Sequence, residues 1–390
     1  MTDKTIRLSS SGVTTESGWS KVNWTLKGLE PDDFILSHEI PEQDQNLLSD
    51  PQCGDHALCA ILLKAMEQKD DIVVEGKVSP KLLDGLETLQ AIWHRWRPER
   101  YQLIKIFAEE ECETVPAKNE RPAIFAFSGG VDASFTLFRH LHNQAGRNKY
   151  KPAAALLIHG MDIPLDRDDF FQNAATRAEQ ILDGSGVRLI RMRMNCRELL
   201  QRWEDSFGLQ LAACFLLFQA NYADAVRGSE EPYESLIFPW GSTPLTDPLA
   251  STACMEMRHD GCDFDRTEKV YWLAKNTKAS EYLRVCWEGP RPDRNCGECE
   301  KCIRTMLNFW AMDLPIPKAF PTQLTPKRVS SIRIRNRIQH TYLINLLRFA
   351  ERHHPKDDQI LKALQKRLGH TGPKNAARRA GYLAKRILGI

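Results

Sequence analysis

Pro122-Ala-Ile-Phe-Ala-Phe127 runs directly into Ser128-Gly129-Gly130-Val131-Asp132-Ala133-Ser134. The six leading residues form the short apolar run of a buried strand, and the Ser-Gly-Gly at its end predicts strand, tight turn and helix in immediate succession. Adjacent glycines permit backbone conformations that other residues avoid and let several N–H groups converge on an anion. A helix predicted from about Asp132 to Gln144 brings its positive end to the same place. A triphosphate or pyrophosphate is the guest such a turn suits. The competing reading is an ordinary Gly-Gly turn between a core strand and a helix. A Walker A loop is excluded, because no Gly-x4-Gly-Lys-Ser/Thr string occurs and no lysine follows the glycines.

Working outward, strand and helix patterns alternate. Ala153–Ile158 reads as a second buried strand, Phe170–Leu182 as an amphipathic helix and Val187–Met192 as a third strand. Leu209–Val226 reads as a helix and Leu236–Trp240 as a fourth strand. Such alternation predicts an α/β fold, a parallel sheet with helices on both faces, whose ligands bind at the carboxyl ends of the strands. His159-Gly160-Met161, after the second strand, and Gly241–Asp247, after the fourth, fall at that end together with the Ser-Gly-Gly turn.

Residues 1–118 read as an N-terminal accessory α+β domain. Trp19–Leu36 alternates like short strands, and Asp55–Gln68 spaces Leu58, Ile61, Leu62 and Met66 helically. Ile72-Val-Val and Tyr101–Phe107 read as strands, and Ser79-Pro80 as a helix start. Residues 119–313 form the predicted central domain, and 314–390 a basic, mainly helical C-terminal extension. Residues 327–390 carry 16 Lys and Arg against three acids, a net +13 in a chain of net +2. That tail suits nucleic acid, an anionic membrane or an acidic protein surface, and equally a solvated helical appendage. At 390 residues and 42% hydrophobic content the chain can bury a substantial core. No apolar signal opens it and no run approaches the roughly 18 apolar residues of a membrane span, so a cytoplasmic protein is expected.

In such a compartment eleven cysteines argue for metal ligands and buried thiols over disulfides. Cys286, Cys296, Cys299 and Cys302 form Cys-x9-Cys-x2-Cys-x2-Cys, in which paired Cys-x2-Cys turns aim neighbouring sulfurs at one ion and Gly297 eases the turn. Tetrahedral zinc in a closed, structural site is the expected occupant, with an iron–sulfur cluster or a redox dithiol as alternatives. The remaining cysteines, Cys254 and Cys262 included, read as packing thiols.

The Ser-Gly-Gly-Val-Asp string resembles the PP-loop of the ATP pyrophosphatase superfamily, usually Ser-Gly-Gly-x-Asp-Ser. Ala133 stands where that family has a hydroxyl, leaving Ser134 to supply it. A PP-loop followed by Cys-x9-Cys-x2-Cys-x2-Cys resembles the 7-cyano-7-deazaguanine synthase (QueC) family in particular. Asp265-Arg-Thr-Glu-Lys-Val270 is similar to that family's Thr-Lys-x-Glu-Ile-Val helix start, with Arg266 in the lysine position. The likeness covers about residues 120–310, so the chain looks like an enlarged relative.

The resemblance implies a Rossmann-like, adenine nucleotide alpha hydrolase-like fold. It also implies an ATP- and Mg2+-dependent, AMP-forming ligase that activates 7-carboxy-7-deazaguanine, adds ammonia to give an amide and dehydrates the amide with a second ATP to a nitrile. Ser128, Gly129, Gly130, Val131 and Ser134 would hold phosphate, and Asp132 would place magnesium or pyrophosphate or else cap the helix. His159, Gly160 and Met161 would lie along adenine and ribose, unless His159 is a core histidine. Arg266 would clamp an anion, with Lys269 a solvated neighbour. Asp247 would accept hydrogen bonds from the guanine-like edge, or simply open an Asp-Pro turn. The extra N-terminal domain and the basic tail leave a protein or RNA partner open. Two variants follow: a relative in bacterial anti-phage defence that joins the activated deazapurine to a partner protein, and a PP-loop enzyme of tRNA modification. A homodimer is also compatible with the sequence.

Overall fold

The computed structural model describes residues 5–29, 31–199 and 202–369, and divides at Phe264/Asp265 into two compact units. In the first, the elements in chain order are β1 (Thr5–Glu16), β2 (Trp19–Lys27), β3 (Phe34–Pro41), α1 (Asp55–Gln68), β4 (Asp71–Val78), α2 (Pro80–Trp96) and β5 (Ile106–Glu111). There follow β6 (Ala123–Ala126), α3 (Val131–Leu141), β7 (Pro152–His159), α4 (Asp168–Leu182), β8 (Arg188–Met194), α5 (Trp203–Leu216), β9 (Asp224–Gly228) and β10 (Glu256–Asp260). All ten strands form one sheet in the order β10-β9-β6-β7-β8-β3-β2-β1-β4-β5. It is mostly parallel; the antiparallel pairs are β1·β2, β2·β3 and β3·β8.

The N-terminal strands therefore extend the same sheet. β3 meets β8 with His38 opposite Met194 and Glu39 opposite Arg193. One apolar cluster joins Trp24, Leu58 and Leu62 to Ile190, Leu211 and Phe215, so no solvent layer separates residues 1–118 from the central strands. Contacts thin at Phe264/Asp265 and not at the boundaries after residues 118 and 313 that the sequence suggests.

Two expectations in the β8 to β10 stretch are corrected. The helix predicted over 209–226 ends at Leu216, and the following chain turns into β9. Leu236–Trp240 is irregular: Pro239 has no N–H to give a ladder, and β6 is flanked on the side away from β7 by β9, paired through Asp224, Ala225 and Val226. β10 has no counterpart in the sequence reading.

The second unit contains α6 (Arg266–Asn276), α7 (Glu300–Trp310), α8 (Pro326–Ser330), α9 (Arg337–His353) and α10 (Gln359–Arg367). The helical reading of the C-terminal extension thus holds over its described part; the tail from residue 370 lies outside the described residues. Among the described residues no helix is long and apolar enough to cross a membrane.

Candidate functional site

The chain leaves β6 toward β7 and β8 and returns on the other flank at β9, so the strand order reverses between β6 and β9. Connections from two such strands diverge and leave a crevice beyond their carboxyl ends. Residues 127–130 emerge from β6 at that point. Gly129 takes φ +73°, the left-handed region that glycine enters freely, while Gly130, at φ −85° and ψ 176°, caps α3 with a conformation open to any residue. The exposed Ser128 folds its Oγ back to accept from Gly130 N at 3.3 Å. Gly228, the last residue of β9, lies so close to the first turn of α3 that a Cβ there would sit 2.5 Å from Asp132 O. Val131 and Ser134 are buried and Asp132 is half-buried. Among the described residues Ser134 Oγ is buried with no hydrogen-bond partner.

His159 ends β7, but its ring is turned into the protein. It is fully buried, donates from Nε2 to Pro164 O at 2.7 Å and stacks on Phe171 at 4.4 Å; burial pushes its pKa down. The core reading of His159 is the one its surroundings match. Gly160 packs on the backbone of Met194, and Met161 O accepts from Arg197.

Asp247 does not present an open carboxylate. It accepts from Ser242 Oγ, from Thr243 N at 3.2 Å and from His259 Nδ1 at 2.7 Å, with Arg227 Nη1 at 3.8 Å. Burial opposes its ionisation, yet His259, Arg227 and Ser242 together hold the carboxyl below its ordinary range. Arg227 on β9 and His259 on β10 are direct cross-strand partners. The segment bearing Asp247 is seated by a close backbone approach to α5, where a Cβ on Gly208 would lie 2.2 Å from Gly241 O. Sequence reasoning missed Arg227 and His259. The only available signal was the alternation of Met257 and His259, which puts both on one face of a strand the sequence did not reveal.

In the second unit, Asp265 caps α6 reciprocally with Glu268, each side chain accepting the other's backbone N–H at 2.9 Å. Arg266 opens the helix and is buried. Lys269 is fully buried as well, which corrects its reading as a solvated residue: Thr267 and the α6 face around it are covered, with Thr267 Oγ1 donating to Asn308 of α7 at 3.2 Å.

The four cysteines converge as their spacing predicts. All four sulfurs lie within 4.8 Å of one another, with Cys286 to Cys299 at 3.8 Å and Cys296 to Cys302 at 3.9 Å. A tetrahedral ion with M–S bonds of about 2.3 Å needs sulfurs roughly 3.8 Å apart, whereas a disulfide would need about 2.05 Å. Backbone N–H groups of Glu298 and Cys299 point at Cys296 Sγ, and Cys302 N at Cys299 Sγ, the donor pattern that suits thiolates. Asn295 braces the first ligand by accepting from Val285 N at 2.8 Å and Cys286 N at 3.3 Å. Gly297 makes its turn at φ +74°. The group could hold a metal ion such as zinc, and four sulfurs complete the shell with no position left open. The other seven cysteines form no disulfide, and burial pushes the thiols of Cys53, Cys59, Cys196 and Cys214 up.

No family model, curated protein or solved structure matches the chain.

Proposed function

We propose that this chain is an ATP-dependent, AMP-forming ligase or amidotransferase that activates the carboxylate of a 7-deazaguanine-like small molecule. The observation that carries the reading is the position of Ser128-Gly129-Gly130-Val131-Asp132 at the β6/β9 reversal, with a left-handed glycine, the amino end of α3 and an unspent buried hydroxyl on Ser134. ATP, with Mg2+, supplies the leaving group that makes a carboxyl carbon open to attack. The chain's part is to hold phosphate on the backbone N–H groups of residues 128–131, with Asp132 beside the metal. The four-cysteine group is read as a structural zinc site because its shell is closed.

A macromolecular acceptor, protein or RNA, in place of ammonia is the second reading. The exposed cations Arg337, Arg348, Arg352, Lys362 and Lys366 on α9 and α10 favour it. The test is purified protein with ATP, magnesium and 7-carboxy-7-deazaguanine, with and without ammonia. AMP and pyrophosphate release with an amide or nitrile product by mass spectrometry is expected. Absence of carboxylate-dependent AMP under all acceptors would remove the reading.

A further inference from the structure

We infer that Asp247 and His259 form a proton-transfer dyad at the carboxyl end of the sheet, with His259 Nε2 as the working atom and Arg227 as the cation beside it. Asp247 accepts from His259 Nδ1 at 2.7 Å, which fixes the tautomer and leaves Nε2 as the acceptor. Among the described residues His259 Nε2 and Arg227 Nη1 are both buried with no hydrogen-bond partner. Arg227 Nη1 has only its ion pair to Asp247 at 3.8 Å, and an unbonded His259 Nε2 is costly in a packed interior unless something else meets it. They also sit where a ligand would be handled. Arg227 immediately precedes Gly228, the residue pressed against the first turn of α3.

Asp247 itself lies in the connection from β9 to β10, residues 229–255, whose regular structure is two single 3-10 turns, Tyr233–Ser235 and Asp247–Ala250. Connections beyond roughly 12–15 residues without helix or strand are uncommon in compact domains and recur as lids and binding loops. This one exposes three large apolar side chains, Tyr233, Phe238 and Leu245.

The chemistry rests on the ligase reading. As the acceptor amine attacks the activated carboxyl carbon, a C–N bond forms and the activated oxygen leaves with the C–O bonding pair. One N–H proton passes to His259 Nε2, and Asp247 stabilises the resulting imidazolium. Arg227 faces the negative charge that develops on the carbonyl oxygen. Asp247 is a positioning residue.

Ethoxyformylation of the intact protein with diethyl pyrocarbonate, mapped by mass spectrometry, tests the dyad without assuming a substrate. His259, whose side chain is 3% exposed, should be modified more slowly than the exposed His142 and His353 but well ahead of the fully buried His38 and His56, although each of those also has a ring nitrogen without a partner. A low-field Nδ1–H proton resonance should be present in the wild type and absent in Asp247→Asn. His259→Gln should lose about 10²–10⁴-fold in amide formation at an unchanged melting temperature, with partial rescue by added imidazole. His259 as unreactive as His38 and His56, or an His259→Gln variant with wild-type transfer, would overturn the dyad. Wild-type protein that releases no AMP would instead defeat the ligase reading, and the labelling would still decide the dyad.

Discussion

The two glycines of the Ser-Gly-Gly turn differ in conformation. Gly129 is in the left-handed region, where a side chain costs about 1–2 kcal/mol, whereas Gly130 has torsions that alanine shares. Gly129→Ala should therefore lower the urea midpoint, and Gly130→Ala should leave it unchanged. If Gly130 brings backbone up to phosphate, Gly130→Ala should still cost roughly tenfold or more in AMP release. Wild-type AMP release in both variants would separate the turn from catalysis. Single residues also mark the limit of sequence reading here. The Ser-Gly-Gly string is legible because its chemistry is local. Asp247 is legible as a loop carboxylate but its occupation is not, since its partners Ser242, Arg227 and His259 come from a loop and two strands that only the fold brings together.

Elements are legible where one period runs uninterrupted. Asp55–Gln68 is a helix over the predicted span because Leu58, Ile61, Leu62 and Met66 all face the core. β9 is hidden because two apolar residues between Asp224 and Arg227 are too few to break a preceding helical pattern. The four-cysteine element is legible from spacing alone, and its coupling to secondary structure is not: Cys299 is also the N-cap of α7, accepting from Cys302 N. The four-cysteine group and the helix start are thus one structure. Elemental analysis should find about one zinc per chain, and Cys299→Ser should lose it and lower the melting temperature, because structural zinc contributes folding energy outright. Metal-free protein melting at the wild-type temperature would contradict this.

At the scale of the molecule, the sequence reading of a separate N-terminal domain meets a sheet that crosses residue 118 without a break. Removing residues 1–118 would strip β1 to β5, α1 and α2, leaving β8 with an open edge. It would also break buried polar links from Gln210 Nε2 to Ala60 O at 3.0 Å, Tyr101 OH to Asp205 at 3.0 Å and Gln219 Nε2 to Asp55 at 2.8 Å. On the apolar side, Leu211, Phe215 and Leu216 of α5 lose the cluster that includes Leu58, Ile61 and Leu62 of α1. Each such side chain returned to water costs about 1.5–3 kcal/mol, so a handful equals the whole 5–15 kcal/mol margin of a typical domain. A chain of residues 119–390 should accordingly be insoluble or bind hydrophobic dyes, and give no cooperative melt. Cooperative unfolding of that fragment with ATP turnover retained would show the N-terminal segment to be separable after all, and would assign the shared core to convenience of packing instead of to stability.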